Sequence, residues 1–312
     1  MQVGTLRLAL TLLALPLGPR AASPNITWAT ARDGIERSEF VMAERGVLQA
    51  VQVIALRIDP ARIHLDLMAR TRYAGLRGAW TVDSMPAEAV LALNAGQFRE
   101  GTPWGWLVQD GVERQAPGSG SVAMAVVFDA GAVRLLTPEE IPAARGTVRA
   151  AIQSYPMLLV DGVMPAPLRA PGRGVDLEHR DTRLAIGTDA EGRVLLVLTR
   201  FRGAGSAGAT LPFGPTIPEL ATLMRRLGAT RAVGLDGGLS SQLALRESSS
   251  ALRQWSNWRM VPLGIVGTPM MVDDRSSTID HRNVSHIFGS PLSNPRLNHV
   301  IRCSDEPWVQ LS

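Results

Sequence analysis

The residues with the clearest chemical potential form one run, Asp236-Gly237-Gly238-Leu239-Ser240-Ser241, directly after the apolar Ala232-Val233-Gly234-Leu235. A carboxylate at the end of a buried strand sits where ligands reach a sheet edge. Glycines let a ligand approach the backbone, and serines that open a helix offer free N–H groups to an anion. The competing reading is an Asp-Gly hairpin turn with a serine cap, since Asp110-Gly111 and Asp161-Gly162 carry the same signature. Against it, the residues after Asp236 read as a helix, and two consecutive glycines weaken a turn unless something needs their space. Two more candidates stand at expected strand ends. Arg183 opens Arg183-Leu184-Ala185-Ile186-Gly187, where its guanidinium could take a phosphate bidentately or pair with Asp181 or Glu178. Asn94, in Asn94-Ala95-Gly96-Gln97-Phe98, could fix a sugar hydroxyl or merely shape a turn.

Composition removes several classes of chemistry. All 32 basic residues are arginine, so a Schiff-base lysine and a Walker-type phosphate loop are both excluded. The basic residues are scattered, which gives nucleic-acid binding little support. Cys303 is the one cysteine, so neither an intrachain disulfide nor a cysteine zinc site can form. Gly203-Ala204-Gly205-Ser206-Ala207-Gly208 has dinucleotide-fingerprint spacing, but the next helix starts too late to put its N-terminus on a pyrophosphate. The run Ala204 to Gly208 lacks the first glycine of a nucleophile elbow, and His64 and His179 have no distinctive context, so a serine hydrolase is disfavoured. His281, His286 and His299 do not match a ligand spacing, and we assign no metal and no cofactor.

The elements that must position these residues are mostly strands. Val47 to Asp59, Ile63 to Met68 and Val90 to Leu93 read as strands, and Trp106 to Val112 and Val122 to Leu136 as hairpin material. Met157 to Val163, Arg183 to Gly187 and Arg193 to Thr199 follow, with an exposed Pro- and Gly-rich loop between Val163 and Val175. Thr216 and Glu219 form a capping box for a helix with Leu220, Leu223, Met224 and Leu227 on one face, stopped by Gly228. Arg231 to Leu235 reads as a strand and Ser240 to Leu245 as the start of a second helix. The expected fold is α+β, a strand-rich mixed sheet with a few packed helices in a single domain. Leu6 to Leu17 is too short to span a bilayer and fits a secretory signal, which divides the chain into a signal (1–22), a lead-in (23–46), the domain (47–267) and a loosely ordered tail (268–312). The mature chain is expected to lack a stable membrane span and to be periplasmic or secreted.

In this order the segments resemble the phosphodiester glycosidase family. Four matches carry the resemblance: Asn94-Ala95-Gly96 with Phe98; Gln153-Ser154-Tyr155-Pro156-Met157-Leu158 leading to Asp161-Gly162; Arg183 to Gly187; and Leu235-Asp236-Gly237-Gly238 with Ser240-Ser241. The family often has glycine and an aromatic where this chain has Ala95 and Gln97, and glycine where it has Tyr155, which would reshape the pocket. The resemblance implies a sugar-phosphate or phosphoglycan substrate, a sugar-1-phosphate diester whose anomeric carbon is attacked by water while a phosphomonoester leaves. Such a leaving group relaxes the demand for a strong general acid. Arg183 and the Ser240 and Ser241 N–H groups would take the phosphate, Asp236 the oxocarbenium-like sugar or the water, and Asn94 a sugar hydroxyl. Gly237, Gly238 and Gln153 would line the substrate. The alternative is a non-catalytic exported glycan-binding or envelope-polysaccharide assembly protein that keeps the pocket without the chemistry.

Overall fold

The computed structural model describes residues 26–42, 50–69, 80–202, 213–257 and 259–270. The expected signal, the Gly203–Gly208 run, the C-terminal histidines and Cys303 lie outside them. The chain divides into two units, Met1–Met271 and Val272–Ser312, and every described residue belongs to the first.

The strands begin with β1 (Ala29–Arg32), β2 (Ile35–Val41), β3 (Val51–Ile58) and β4 (Ile63–Met68). Next come β5 (Leu91–Asn94), the short pair β6 (Phe98–Arg99) and β7 (Thr102–Pro103), and the hairpin of β8 (Leu107–Gln109) and β9 (Val112–Gln115). The hairpin of β10 (Met124–Asp129) and β11 (Ala132–Leu136) leads through a one-turn helix, α1 (Ile141–Ala144), to β12 (Ala150–Ser154) and β13 (Met157–Leu159). After β14 (Leu184–Asp189) and β15 (Val194–Phe201) come helix α2 (Ile217–Arg226) and β16 (Ala229–Gly234). The last strands are β17 (Gln242–Arg246), β18 (Leu252–Ser256) and β19 (Gly264–Pro269).

These strands build a seven-stranded sheet in the order β1-β2-β3-β15-β14-β16-β13, two five-stranded sheets, β11-β10-β12-β8-β9 and β18-β17-β5-β19-β4, and the pair β6-β7. The mixed sheet expected from sequence is replaced by antiparallel pairing throughout the described strands. Tight turns enforce part of this. Asp110 and Gly111, both at positive φ, close the β8-β9 hairpin as a primed turn, which joins only antiparallel strands.

One core lies where the three large sheets face one another, drawing Ile54, Leu56, Ile186 and Val233 from the first, Val126 and Ile152 from the second, and Leu93, Leu243 and Ile265 from the third. The seven-stranded sheet is covered on its other face as well. There Val53, Ala55, Ala185, Val197 and Ala232 pack under Ile217, Leu220, Ala221 and Met224 of α2. Burial on both faces explains why β14 and β15 read as continuous apolar runs. The capping box of α2 forms as its sequence dictates: the Thr216 hydroxyl accepts from the Glu219 N–H, and the Glu219 carboxylate accepts from the Thr216 N–H.

The segment after Asp236 departs from expectation. Gly238–Ser240 is a single 3-10 turn, and Gln242–Arg246 is a strand between β5 and β18. Its Gln, Leu and Ala residues favour helix locally, but two flanking strands supply pairing that overrides so short a preference. The Val163–Val175 loop is largely exposed, though Leu168 turns inward and is buried.

Candidate active site

Three strand ends meet on one edge of the seven-stranded sheet. β16 lies between β14 and β13 and runs antiparallel to both, so its C-terminal end stands beside the N-terminal ends of its neighbours. This places Asp236, just beyond β16, between Arg183, just before β14, and Tyr155-Pro156, just before β13. All four residues line one cavity of about 310 Å³. Asp176, His179 and Asp181 from the segment leading into β14 line it too, with Ile217 and Leu220 of α2 as its apolar floor.

Asp236 is half-buried, and burial pushes its carboxyl up to about 6. A hydrogen bond from the Ser240 side chain and the charge of Arg259 act against that rise, while the charge of Asp181 adds to it. The backbone of the turn is fixed from several sides. The Asp236 N–H donates to the Ala95 carbonyl at 3.2 Å, and the Gly238 N–H donates to the Thr182 carbonyl at 2.8 Å. Both glycines have a steric reason to be there. A Cβ on Gly237 would sit 2.7 Å from the Thr182 carbonyl oxygen; one on Gly238, at φ +58°, would sit 2.7 Å from Asp181 Oδ2. The turn is therefore packed against the segment that carries Arg183, which is the demand for space that two glycines satisfy.

The serines work differently from the expectation. The Ser240 N–H donates to the Gly237 carbonyl and the Ser241 N–H to the Gly238 carbonyl, so both are consumed inside the 3-10 turn and do not face an anion. What Ser240 offers the site is its side chain, bonded to Asp236. Ser241 is buried with its hydroxyl unpartnered among the described residues.

Arg183 donates from Nε to the Pro215 carbonyl at 3.1 Å and from Nη2 to the His179 carbonyl at 2.5 Å. Neutral acceptors orient the guanidinium without cancelling its charge, and among the described residues it makes no ion pair within 4.0 Å. Burial lowers its pKa from the usual arginine value, and the charges of Asp181 and Asp176 oppose the change. The segment bearing it is pinned to α2, where Arg180 meets Glu219 bidentately at 2.7 and 2.9 Å.

Asn94 and Gln153 do not line the cavity. Asn94 is fully buried: its amide donates to the carbonyls of Asp236 (2.8 Å) and Ala95 (3.2 Å), and its oxygen accepts from the Gln242 N–H at 2.8 Å. It bridges the two ends of the Asp236–Gln242 turn, and no donor remains for a sugar hydroxyl. Gln153 accepts from the N–H groups of Trp106 and Gly118 and donates back to the Gly118 carbonyl, anchoring the 105–118 backbone. Sequence reasoning marked Gln97 and Tyr155 only as departures that reshape the pocket and gave no site role to Asp176, His179 and Asp181, yet all five line the cavity. His179 Nε2 lies 3.6 Å from Asp181 Oδ2. For Asp176, His179 and Asp181 the signal was proximity to Arg183, in a charged run, Asp176 to Arg183, that feeds directly into an apolar strand.

A model of the phosphodiester glycosidase family matches residues 87–268. Among solved structures, a hypothetical protein from Synechocystis is similar with a TM-score of 0.52 at 17% identity, over 80% of this chain and 65% of that one. The chain thus spans less than two thirds of that protein's length. The zebrafish N-acetylglucosamine-1-phosphodiester alpha-N-acetylglucosaminidase catalytic domain, auto-inhibited by its pro-peptide, gives a TM-score of 0.52 at 18% identity, over 78% of this chain and 81% of that one. At these identities the structural likeness is one of fold. No curated protein matches the sequence.

Proposed function

We propose that this chain, which belongs to the phosphodiester glycosidase family, hydrolyses the bond between an anomeric carbon and a phosphodiester oxygen, releasing a sugar and a phosphomonoester. The observation that carries the reading is the shared cavity, in which a carboxyl raised to about 6 stands between an arginine that, among the described residues, bonds to carbonyl oxygens alone and an exposed tyrosine ring.

The chemistry follows from the charges. Arg183 holds the phosphodiester, whose departing oxygen leaves as part of a phosphomonoester. That group is stable as an anion, so no proton need be delivered to it. Asp236 serves the attacking water. A carboxylate whose pKa lies near 6 accepts a proton more readily than an ordinary aspartate while remaining largely ionised at neutral pH. Water loses its proton to Asp236, its oxygen bonds to the anomeric carbon, and the C–O bond to phosphate breaks with its electron pair on the leaving oxygen. Ser240 and the buried amide of Asn94 fix the carboxylate-bearing turn, which saves reorganisation during the step. An exported location belongs to the same proposal and is supported by the apolar stretch Leu6 to Leu17. Among the described residues no helix is long and apolar enough to cross a membrane.

The test is turnover of a panel of sugar-1-phosphate diesters in ¹⁸O-water, with ordinary glycosides and simple phosphodiesters as controls. Hydrolysis confined to the diesters, with the label in the released sugar, is the expected result. Label in the phosphate would mean P–O cleavage and would overturn the reading. Tight phosphoglycan binding with no turnover would move the chain to the glycan-binding alternative.

A further inference from the structure

We infer that Tyr155 is a stacking platform for the pyranose ring of the released sugar, held in place by Trp104 and Gln97, and that it helps decide which sugar the site accepts. The inference rests on the reaction proposed above. Tyr155 is 40% exposed on the cavity wall, while the residues on either side of the dipeptide Tyr155-Pro156, Ser154 and Met157, are buried. Its ring meets Trp104 edge to face, with centroids 4.9 Å apart and planes at 79°, a contact that restrains the ring while it stays exposed on the cavity wall.

The backbone beneath both rings is secured by a single residue, Gln97, through its side chain at Tyr155 and its main-chain carbonyl at Trp104. Gln97 Oε1 accepts from the Tyr155 N–H at 3.0 Å, and Gln97 Nε2 donates to the Tyr155 carbonyl. The Gln97 carbonyl in turn accepts from the Trp104 N–H at 2.8 Å. Gly118, which Gln153 holds through two hydrogen bonds, lies so close to Trp104 that a Cβ there would be 3.0 Å from Cζ2. A solvent-facing ring restrained at so many points is pre-organised, so little ordering cost remains when a ligand lies on it.

Strand order gives the platform its partner. Tyr155 enters β13 and Arg183 enters β14, on opposite sides of the β16 end that carries Asp236. Two strand spacings separate the flanking strands, roughly 9–10 Å. If the phosphate lies toward Arg183 and the anomeric carbon faces Asp236, the rest of the sugar ring extends toward Tyr155. A pyranose presents C–H groups on its faces and hydroxyls around its rim, and the electron-rich face of tyrosine attracts the former.

The test separates the two sides of the cavity. Calorimetry of the wild type, Tyr155→Ala and Tyr155→Phe is performed with free glucose, N-acetylglucosamine, galactose and mannose, and with inorganic phosphate. We expect at least one sugar to bind the wild type, its affinity to fall on the order of tenfold in Tyr155→Ala, phosphate affinity to stay unchanged, and Tyr155→Phe to match the wild type. Sugar binding that is indifferent to Tyr155→Ala, a loss shared equally by phosphate, or the absence of binding by all four sugars would overturn the inference. These titrations need no turnover. A wild type that binds sugar through Tyr155 yet is inert toward the diester panel would refute the reaction and leave the platform standing, whereas an active enzyme indifferent to Tyr155→Ala would do the reverse.

Discussion

Replacing Asp236 with asparagine should make the protein inactive and more stable, with a gain in stability that depends on pH in a defined way. The folded-state pKa of about 6 exceeds the ordinary 3.8, so folding favours the protonated carboxyl and ionising it costs stability. The wild type is therefore least penalised below about pH 3.8, loses stability as pH rises toward 6, and carries the full penalty above it. The difference between about 6 and 3.8 corresponds to about 3 kcal/mol. Asparagine has a similar shape, can still accept from Ser240 and does not ionise. Asp236→Asn should thus match the wild type near pH 4 and exceed it by up to about 3 kcal/mol at pH 8, a Tm increase on the order of 5–10 °C. Denaturant unfolding of both proteins at pH 4, 6 and 8, with turnover measured on the same samples, is the assay. A variant less stable than wild type at pH 8, or a stability difference that does not change with pH, would show that burial does not raise this carboxyl. Full activity would remove Asp236 from the mechanism.

Other outcomes follow from the same geometry. With Asp236 as the base, kcat/KM rises with pH through about 6 and levels off above it, and a profile flat across that range would remove Asp236 from this role. A single water displacement inverts the anomeric carbon, so NMR of the first sugar released should show the configuration opposite to that of the substrate; retention would point to a covalent intermediate. Asn94→Ala removes hydrogen bonds to Asp236, Ala95 and Gln242 inside the core, so stability should fall by about 2–4 kcal/mol and kcat should fall with it, while sugar affinity measured by calorimetry is unchanged. A selective loss of sugar affinity would restore Asn94 to the role of hydroxyl ligand. Gly238→Ala places a Cβ against Asp181 at φ +58° and should cost on the order of 1–2 kcal/mol in chemical denaturation, along with most turnover.

Local signals were legible wherever local physics decides the outcome. The Thr216–Glu219 box and the apolar face behind it specify α2, and Ile63 to Met68 matches its strand residue for residue. The Ser240 to Leu245 segment misled because its fate is set by β5 and β18, far away in the chain. The same separation hid the shape of the site. Asp236 and Arg183 could be found as polar residues at strand ends, but their neighbours depend on β16 entering between β14 and β13, a pairing that no local pattern encodes. Asn94 and Gln153 show the complementary limit. A polar side chain at a strand end looks the same in sequence whether it faces a ligand or closes a loop from inside, and here both are enclosed and spend their hydrogen bonds on backbone.

The pairing of β3 with β15 sets where the chain can be shortened. The family match begins at residue 87, and a fragment cut there would keep every residue that lines the cavity. It would also strip β15 of β3, one of its two partners, along eight consecutive positions, from Val194 to Phe201, and take β4 away from β19. The bared flank is a long apolar strand with unpaired N–H and carbonyl groups, a template for association with other chains. An expression boundary chosen from the family match alone should yield aggregates, and a well-behaved minimal protein has to begin upstream of Val51.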